Sequence, residues 1–171
     1  MLTATAPAPQ ALTLLPELAD EIRLTRRVFE RAPEASFGWQ PHPKSMTLGH
    51  LAAHVSNLLD GITLALQTDG LDLVTRQAGF VPATEATALL ALFDTRAAEA
   101  QAVLANTDDE ALAEVWTLRR CEHVVMSRPR AGMVRHLISH MAHHRGQLSV
   151  YLRLLDVPVP AIYGPSADES L

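Results

Sequence analysis

Apolar side chains recur at helical spacing in four separate segments of this chain, with proline, glycine or cap-forming residues between them. Leu14, Leu15, Leu18, Ile22, Val28 and Phe29 mark the first, over residues 11 to 31. Leu48, Leu51, Val55, Leu58, Leu59, Ile62 and Leu66 mark the second, with Ser45 or Thr47 as its cap and Gly70 as its stop. An Ala/Leu-rich segment from Thr84, its expected cap, to about residue 106 is the third. The fourth runs from residue 130 or 131 to 155. Such spacing puts one apolar stripe on each helix, and four stripes bury themselves by facing one another. The predicted fold class is therefore all-α: a four-helix bundle with a short extended excursion before the last helix. That excursion is residues 111–130, where Val115, Trp116, Leu118, Val124 and Val125 alternate as in a small hairpin. With 171 residues there is enough chain for one core but not comfortably for two. The expected organisation is a flexible arm at 1–10 and a single domain over 11–171, whose proline-rich tail from 157 wraps the bundle.

Charge narrows the partners. The formal net charge is −5, and Lys44 is the sole lysine, so the chain lacks the basic stripe that a nucleic-acid groove needs. No run of apolar residues is long enough to span a bilayer, so no membrane partner is expected. One cysteine, Cys121, makes no disulfide within the chain, which suits a reducing compartment. The N-terminus has no positively charged leader pattern, so the cytoplasm is the expected location.

The chemistry concentrates in residues 133–155, MVRHLISHMAHHRGQLSVYLRLL, which hold His136, His140, His143 and His144. Imidazole is a common ligand for transition metals, and two His four residues apart on a helix can grip one ion. At about 100° per residue, His144 falls within the stripe of Leu137, Met141, Leu148, Tyr151 and Leu155, and His140 falls on its edge. His136 and His143 lie on the flank. In GHLAAHVSN of the second helix, His54 sits at the rim of the apolar arc and His50 lies further out. The inward set is thus His54, His140 and His144. Three protein ligands with positions left for water or substrate make a catalytic pattern rather than a structural one. A hydrogen-bonded rim role for each histidine is the competing reading, and a pH-responsive patch without metal is another.

Other residues carry less. Asn57, His143, Arg145, Gln147 and Tyr151 are candidates to support the ligands or face a substrate. Arg145 could hold a carboxylate, or lie on the surface or at a dimer interface. Cys121 and His123 would share a face of an extended strand, but nothing nearby activates a thiol. Trp39 and Trp116 are expected to pack.

HMAHHRGQLSVYLRLLDVPVPAIYGPSADE resembles the C-terminal signature of the DinB-like superfamily, also called YfiT-like. The resemblance rests on His143-His144-Arg145-Gly146-Gln147, Pro160 and Tyr163-Gly164, and on MTLGHLAAHVSN upstream. It covers the chain from about Leu12. It implies an up-down-down-up bundle, a homodimer, and a divalent transition metal such as zinc or nickel. Its metal ligands carry over to His54, His140 and His144, the set the helical wheels select independently. A register one turn earlier would exchange His144 for His136.

Relatives of this group include transferases and isomerases that use a low-molecular-weight thiol cosubstrate. The resemblance therefore implies a metal-dependent enzyme, first an S-transferase moving such a thiol to an electrophile. A metal-dependent hydrolase is the nearest variant. A non-catalytic metal-binding stress-response protein is the alternative from another class, and a pocket that reaches the histidines would speak for the enzyme.

Overall fold

The computed structural model describes residues 9–77 and 80–170. Four long helices form its body: α1 (Pro9–Arg31), α2 (Leu48–Gln67), α4 (Ala86–Ala105) and α6 (Arg130–Leu154). Two short helices, α3 (Leu73–Gln77) and α5 (Asp109–Ala113), lie between them. Strands β1 (Gly70–Asp72), β2 (Val115–Arg120) and β3 (His123–Pro129) form one sheet in that order. The protein is mostly helical, and the sheet qualifies the all-α expectation. Most of the expected arm, residues 1–8, lies outside the described residues, while Pro9 and Gln10 already belong to α1.

Each of α1 and α2 packs against both α4 and α6. The core between them is aliphatic, with Leu18, Leu48, Leu51, Leu59, Ile62, Leu104 and Leu148 almost fully buried. Phe29 and Phe93 meet edge to face across α1 and α4, at 5.0 Å between ring centroids. The amide of Ala83, just before α4, donates to the carbonyl of Gly49 at the start of α2. The approach is so close that a Cβ on Gly49 would stand 2.4 Å from the Ala83 carbonyl oxygen, so glycine is required there. At the far end of α1, Gln10 N–H donates to Asp109, which follows α4.

Helix caps differ from the sequence reading in one place. Thr47 caps α2 as expected, accepting from His50 N–H. Thr84 does not cap α4. That helix begins at Ala86, whose N–H donates to the Glu34 carboxylate from the 3-10 turn Glu34–Ser36. A carboxylate brought from another element serves the orphan donor and matches the helix dipole.

The hairpin falls where alternation places it. Cys121 turns it, in a left-handed conformation with φ 51°. It therefore lies in the turn and not on a strand beside His123. Its N–H donates to the Asp72 carboxylate at 3.2 Å, so the end of β1 pins the hairpin tip. β1 pairs with β2 in parallel, Leu71 opposite Leu118, and this third strand is new relative to the sequence reading. A Cβ on Gly70 would stand 2.6 Å from Thr117 O. Gly70 therefore permits this pairing rather than simply stopping α2, which ends at Gln67.

Arg130 locks the sheet to the bundle. Its buried guanidinium donates to the carbonyls of Ala65 and Thr68 at the end of α2 and pairs with Asp69 and Glu114. This fixes where α6 starts relative to α2, and hence which turns of the two helices meet. No helix among the described residues is long and apolar enough to cross a membrane.

Candidate metal centre

Because α2 and α6 are held at that level, His54 of α2 meets His140 and His144 of α6. The ligand-capable atoms of the three imidazoles lie within 4.8 Å of one another. His140 Nε2 and His144 Nε2 are 2.7 Å apart. The His54 ring is 4.7 Å from that of His144 and 5.2 Å from that of His140, between centroids. His54, His140 and His144 are thus the residues that would hold an ion, each with one imidazole nitrogen. The donor set therefore fits a divalent transition metal.

The protonation states fit as well. Burial first, then repulsion from His144 and His140, pushes the His54 pKa down to about 4. His140 is likewise pushed down to about 4, by burial and then by His144 and its other histidine neighbours. Burial lowers His144 too, against a hydrogen bond to Gln147 that raises it. All three are neutral at pH 7, and neutral imidazole is the ligand form.

Gln147 selects the tautomer. Its carbonyl oxygen Oε1 lies 2.6 Å from His144 Nδ1 and accepts the proton there, which leaves the Nε2 lone pair turned toward His54 and His140. Gln147 is thus hydrogen-bonded to one histidine of the cluster.

The remaining candidates separate clearly. His136 and His143 stay on the flanks, their rings 5.8 Å from His140 and 4.9 Å from His144 respectively. His143 is exposed, while His136 lines a cavity. Tyr151 donates to the Met46 carbonyl and packs edge to face on Trp39, so its hydroxyl is committed to the scaffold. Arg145 is neither at the surface nor facing substrate. It is 1% exposed and pairs with Glu21 at 2.6 Å. The Tyr163 hydroxyl accepts from Arg145 and donates to Glu21, and the Tyr163 ring sits 4.9 Å from the guanidinium carbon. The HHRGQ and Tyr-Gly motifs are thus one device: an internal ion pair that ties the tail to α1 and α6.

Two cavities border the histidines. A larger one of about 640 Å³ is reached by His54 and His140. Its walls are largely apolar, with Leu71, Trp116, Leu118 and Leu137 prominent. That volume suits a small organic molecule. Trp116 packs as expected, with its indole N–H on Thr68, but it also forms part of this wall. His50 stacks on Phe80 at its rim instead of facing bulk solvent. A smaller cavity of about 260 Å³ is lined by His144, Gln147, Tyr151, Met46 and Lys44.

The larger cavity is also lined by Asn57, Arg96 and Arg76, the last paired with Asp60, and of these three sequence reasoning identified only Asn57. Asn57 Oδ1 accepts from Arg96, and the Ser56 hydroxyl accepts from the same nitrogen at 3.3 Å. Arg96 is the single basic residue of the Ala/Leu-rich α4 segment, a signal present in the sequence.

These features define a class: helical bundles with an all-imidazole cluster between helices, open to a substrate-sized cavity. A family model described as the DinB family matches residues 1–170, and the chain belongs to that family. It is 35% identical over 68 residues to the uncharacterised protein YrdA of Bacillus subtilis, a match spanning 37% of this chain and 41% of YrdA. Among solved structures, a DinB-like protein from Bacillus cereus is 21% identical with a TM-score of 0.70, over 88% of this chain and 95% of that one. YfiT from Bacillus subtilis is described as a probable metal-dependent hydrolase with an unusual four-helix bundle topology. It is 10% identical with a TM-score of 0.64, over 91% and 93% of the two chains. A mycothiol-dependent maleylpyruvate isomerase is 14% identical with a TM-score of 0.60, over 81% of this chain and 60% of its own. At these identities the structural likenesses establish the fold.

Proposed function

We propose that this protein is a metal-dependent enzyme in which His54, His140 and His144 hold a divalent transition metal, zinc or nickel, and that it transfers a low-molecular-weight thiol to an electrophile. The observation that carries the reading is the placement of the triad between two cavities. His54 and His140 border the larger, and His144 borders the smaller. Two openings onto one centre would let two substrates reach it separately, whereas a structural metal site needs no opening.

When bound, such an ion would favour the anionic form of a thiol and polarise an electrophile. The protein's own residues do the rest. Gln147 keeps the Nδ1 proton on His144 and so fixes that ring's orientation. The apolar walls of Trp116, Leu118 and Leu137 exclude water, which protects a thiolate nucleophile from competition by hydrolysis. The mycothiol-dependent relative supports a thiol cosubstrate. The description of YfiT supports the hydrolytic variant, which would need water and one substrate.

The up-down-down-up helix order belongs to the same reading. It is supported by Ala83 beside Gly49, by Gln10 beside Asp109 and by His54 beside His144. So does a homodimer, for which the exposed Val150 and Leu154 of α6 offer apolar surface. Cytoplasmic location fits the exposed Cys121 thiol.

The test is a thiol-consumption assay with metal-loaded protein, a panel of small thiols, and epoxide, halide and quinone electrophiles. Metal-dependent loss of thiol, abolished in His54→Ala, is the expected result. Turnover of ester or amide substrates without thiol would favour hydrolysis. Inertness in both arms would favour a metal-binding protein without catalysis.

A further inference from the structure

Arg96 stands apart from the other arginines of the long helices. Among the described residues, Arg23, Arg26, Arg27, Arg31, Arg130, Arg135, Arg145 and Arg153 each form an ion pair with a carboxylate, and Arg96 does not. It is half-buried in the wall of the larger cavity, which His54 and His140 also line. Both of its hydrogen bonds leave from Nη1, to Asn57 and Ser56. Its Nε and Nη2 donors have no partner among the described residues. These two nitrogens form the edge of a guanidinium that grips a carboxylate with two parallel bonds.

The neighbours favour this use. Ser56 is fully buried, and Asn57 lies one helical turn from His54, so the Nη1 edge is braced on the helix that carries the histidine. Arg76, the other arginine of the cavity, is already neutralised by Asp60. Asp60 and Glu99 act on Arg96 from nearby without forming an ion pair with it, so its free Nε–Nη2 edge offers one two-donor grip, which matches a single carboxylate. Burial lowers the Arg96 pKa, yet an arginine keeps its charge at neutral pH. With no carboxylate bonded to the Nε–Nη2 edge, an incoming one would supply the hydrogen bonds that these half-buried donors lack. Most of the remaining wall is apolar, with Phe80, Leu118 and Met133 among its residues, although His50, Thr75 and His136 also line it.

We propose that Arg96 is the carboxylate anchor of the larger cavity, and that it selects monocarboxylates with an apolar or aromatic body. The inference rests on the reading of that cavity as the substrate site, and it specifies the chemical class of substrate. A carboxylate on Arg96 places the far end of the molecule in the chamber that the histidines border. The residue acts on specificity and positioning, not on the reacting bond.

Matched probes test this: 4-phenylbutanoate and its neutral amide, 4-phenylbutanamide. Binding is measured by calorimetry to the full chain, both metal-loaded and treated with chelator, so that a carboxylate preference caused by the ion is separated from one caused by Arg96. The chelator-treated protein is expected to prefer the acid by about tenfold or more. Arg96→Met is expected to bind acid and amide equally, with amide affinity and metal content unchanged. Arg96→Lys keeps the charge without the fork and is expected to retain only part of the preference. If Arg96→Met fails to fold, the comparison of acid with amide in wild type and Arg96→Lys decides. Equal binding of the two probes by the wild type, absence of acid binding, or a preference that survives Arg96→Met would overturn the proposal. A protein that prefers the acid but binds no metal would sink the metal reading and leave this one standing.

Discussion

His144 Nε2 stands 2.7 Å from His140 Nε2, one helical turn away, because the opposite nitrogen of the His144 ring is held by Gln147. A three-residue spacing puts Gln147 on the same face of α6 as His144, so one helix supplies two ligands and the group that orients one of them. Removing that hydrogen bond frees the ring to rotate and to change tautomer. Gln147→Leu is expected to weaken metal affinity by about 10–100-fold, and Gln147→Glu to restore most of it. Competition with a chromophoric chelator measures both. Unchanged affinity in Gln147→Leu would show that the hydrogen bond orients nothing.

The flanking histidines should be dispensable for metal. His136→Ala and His143→Ala are expected to hold metal like the wild type, since neither ring belongs to the cluster of three. A large loss in His136→Ala would indicate the register one turn earlier, with His136 in place of His144. Titration of each variant with metal under identical conditions gives the answer.

The pH dependence has a defined sign. His54 and His140 titrate near 4 in the folded protein, and His144 is also lowered from the ordinary 6.5. The unfolded chain therefore binds more protons than the folded chain between about 6.5 and 4. The metal-free protein should be steady above about pH 6.5 and lose stability as pH falls through that window. Metal affinity should fall in the same direction, because protons compete for the ligand nitrogens. Denaturation curves of chelator-treated protein check this, and His140→Gln should show a flatter profile than wild type. Identical profiles for the two would contradict the account.

Arg145 and Glu21 form the most deeply buried ion pair, at 1% and 10% side-chain exposure. Glu21→Ala leaves the guanidinium without its counter-ion and is expected to cost about 3–5 kcal/mol of stability. Tyr163→Phe removes a single hydroxyl shared by the pair and should cost about 1–2 kcal/mol. Chemical denaturation reads both. A Glu21→Ala protein as stable as wild type would mean that the tail latch contributes little.

Local periodicity made the cluster legible in the sequence. His140 and His144 share a turn of one helix, and His54 lies at the rim of an apolar arc on another, so wheels alone turn all three inward. Pairings between distant segments were not legible. Glu21 and Arg145 lie far apart in the chain, and an arginine within HHRGQ carries no local sign that a glutamate of α1 will bury with it. Thr84 looked like a cap, but Glu34 reaches Ala86 from another element. β1 is three residues, too short for alternation to register, and exists only because Thr117 and Leu118 of β2 lie beside it. That strand matters for function, since Leu71 and Leu118 line the larger cavity.

The most direct test of the central claim is elemental analysis of untagged protein, wild type against His54→Ala and His144→Ala. The account predicts about one divalent transition-metal ion per chain in the wild type, and loss of most of it in each variant. Full occupancy in both variants, or no metal in wild type after growth and reconstitution with zinc and nickel, would contradict it.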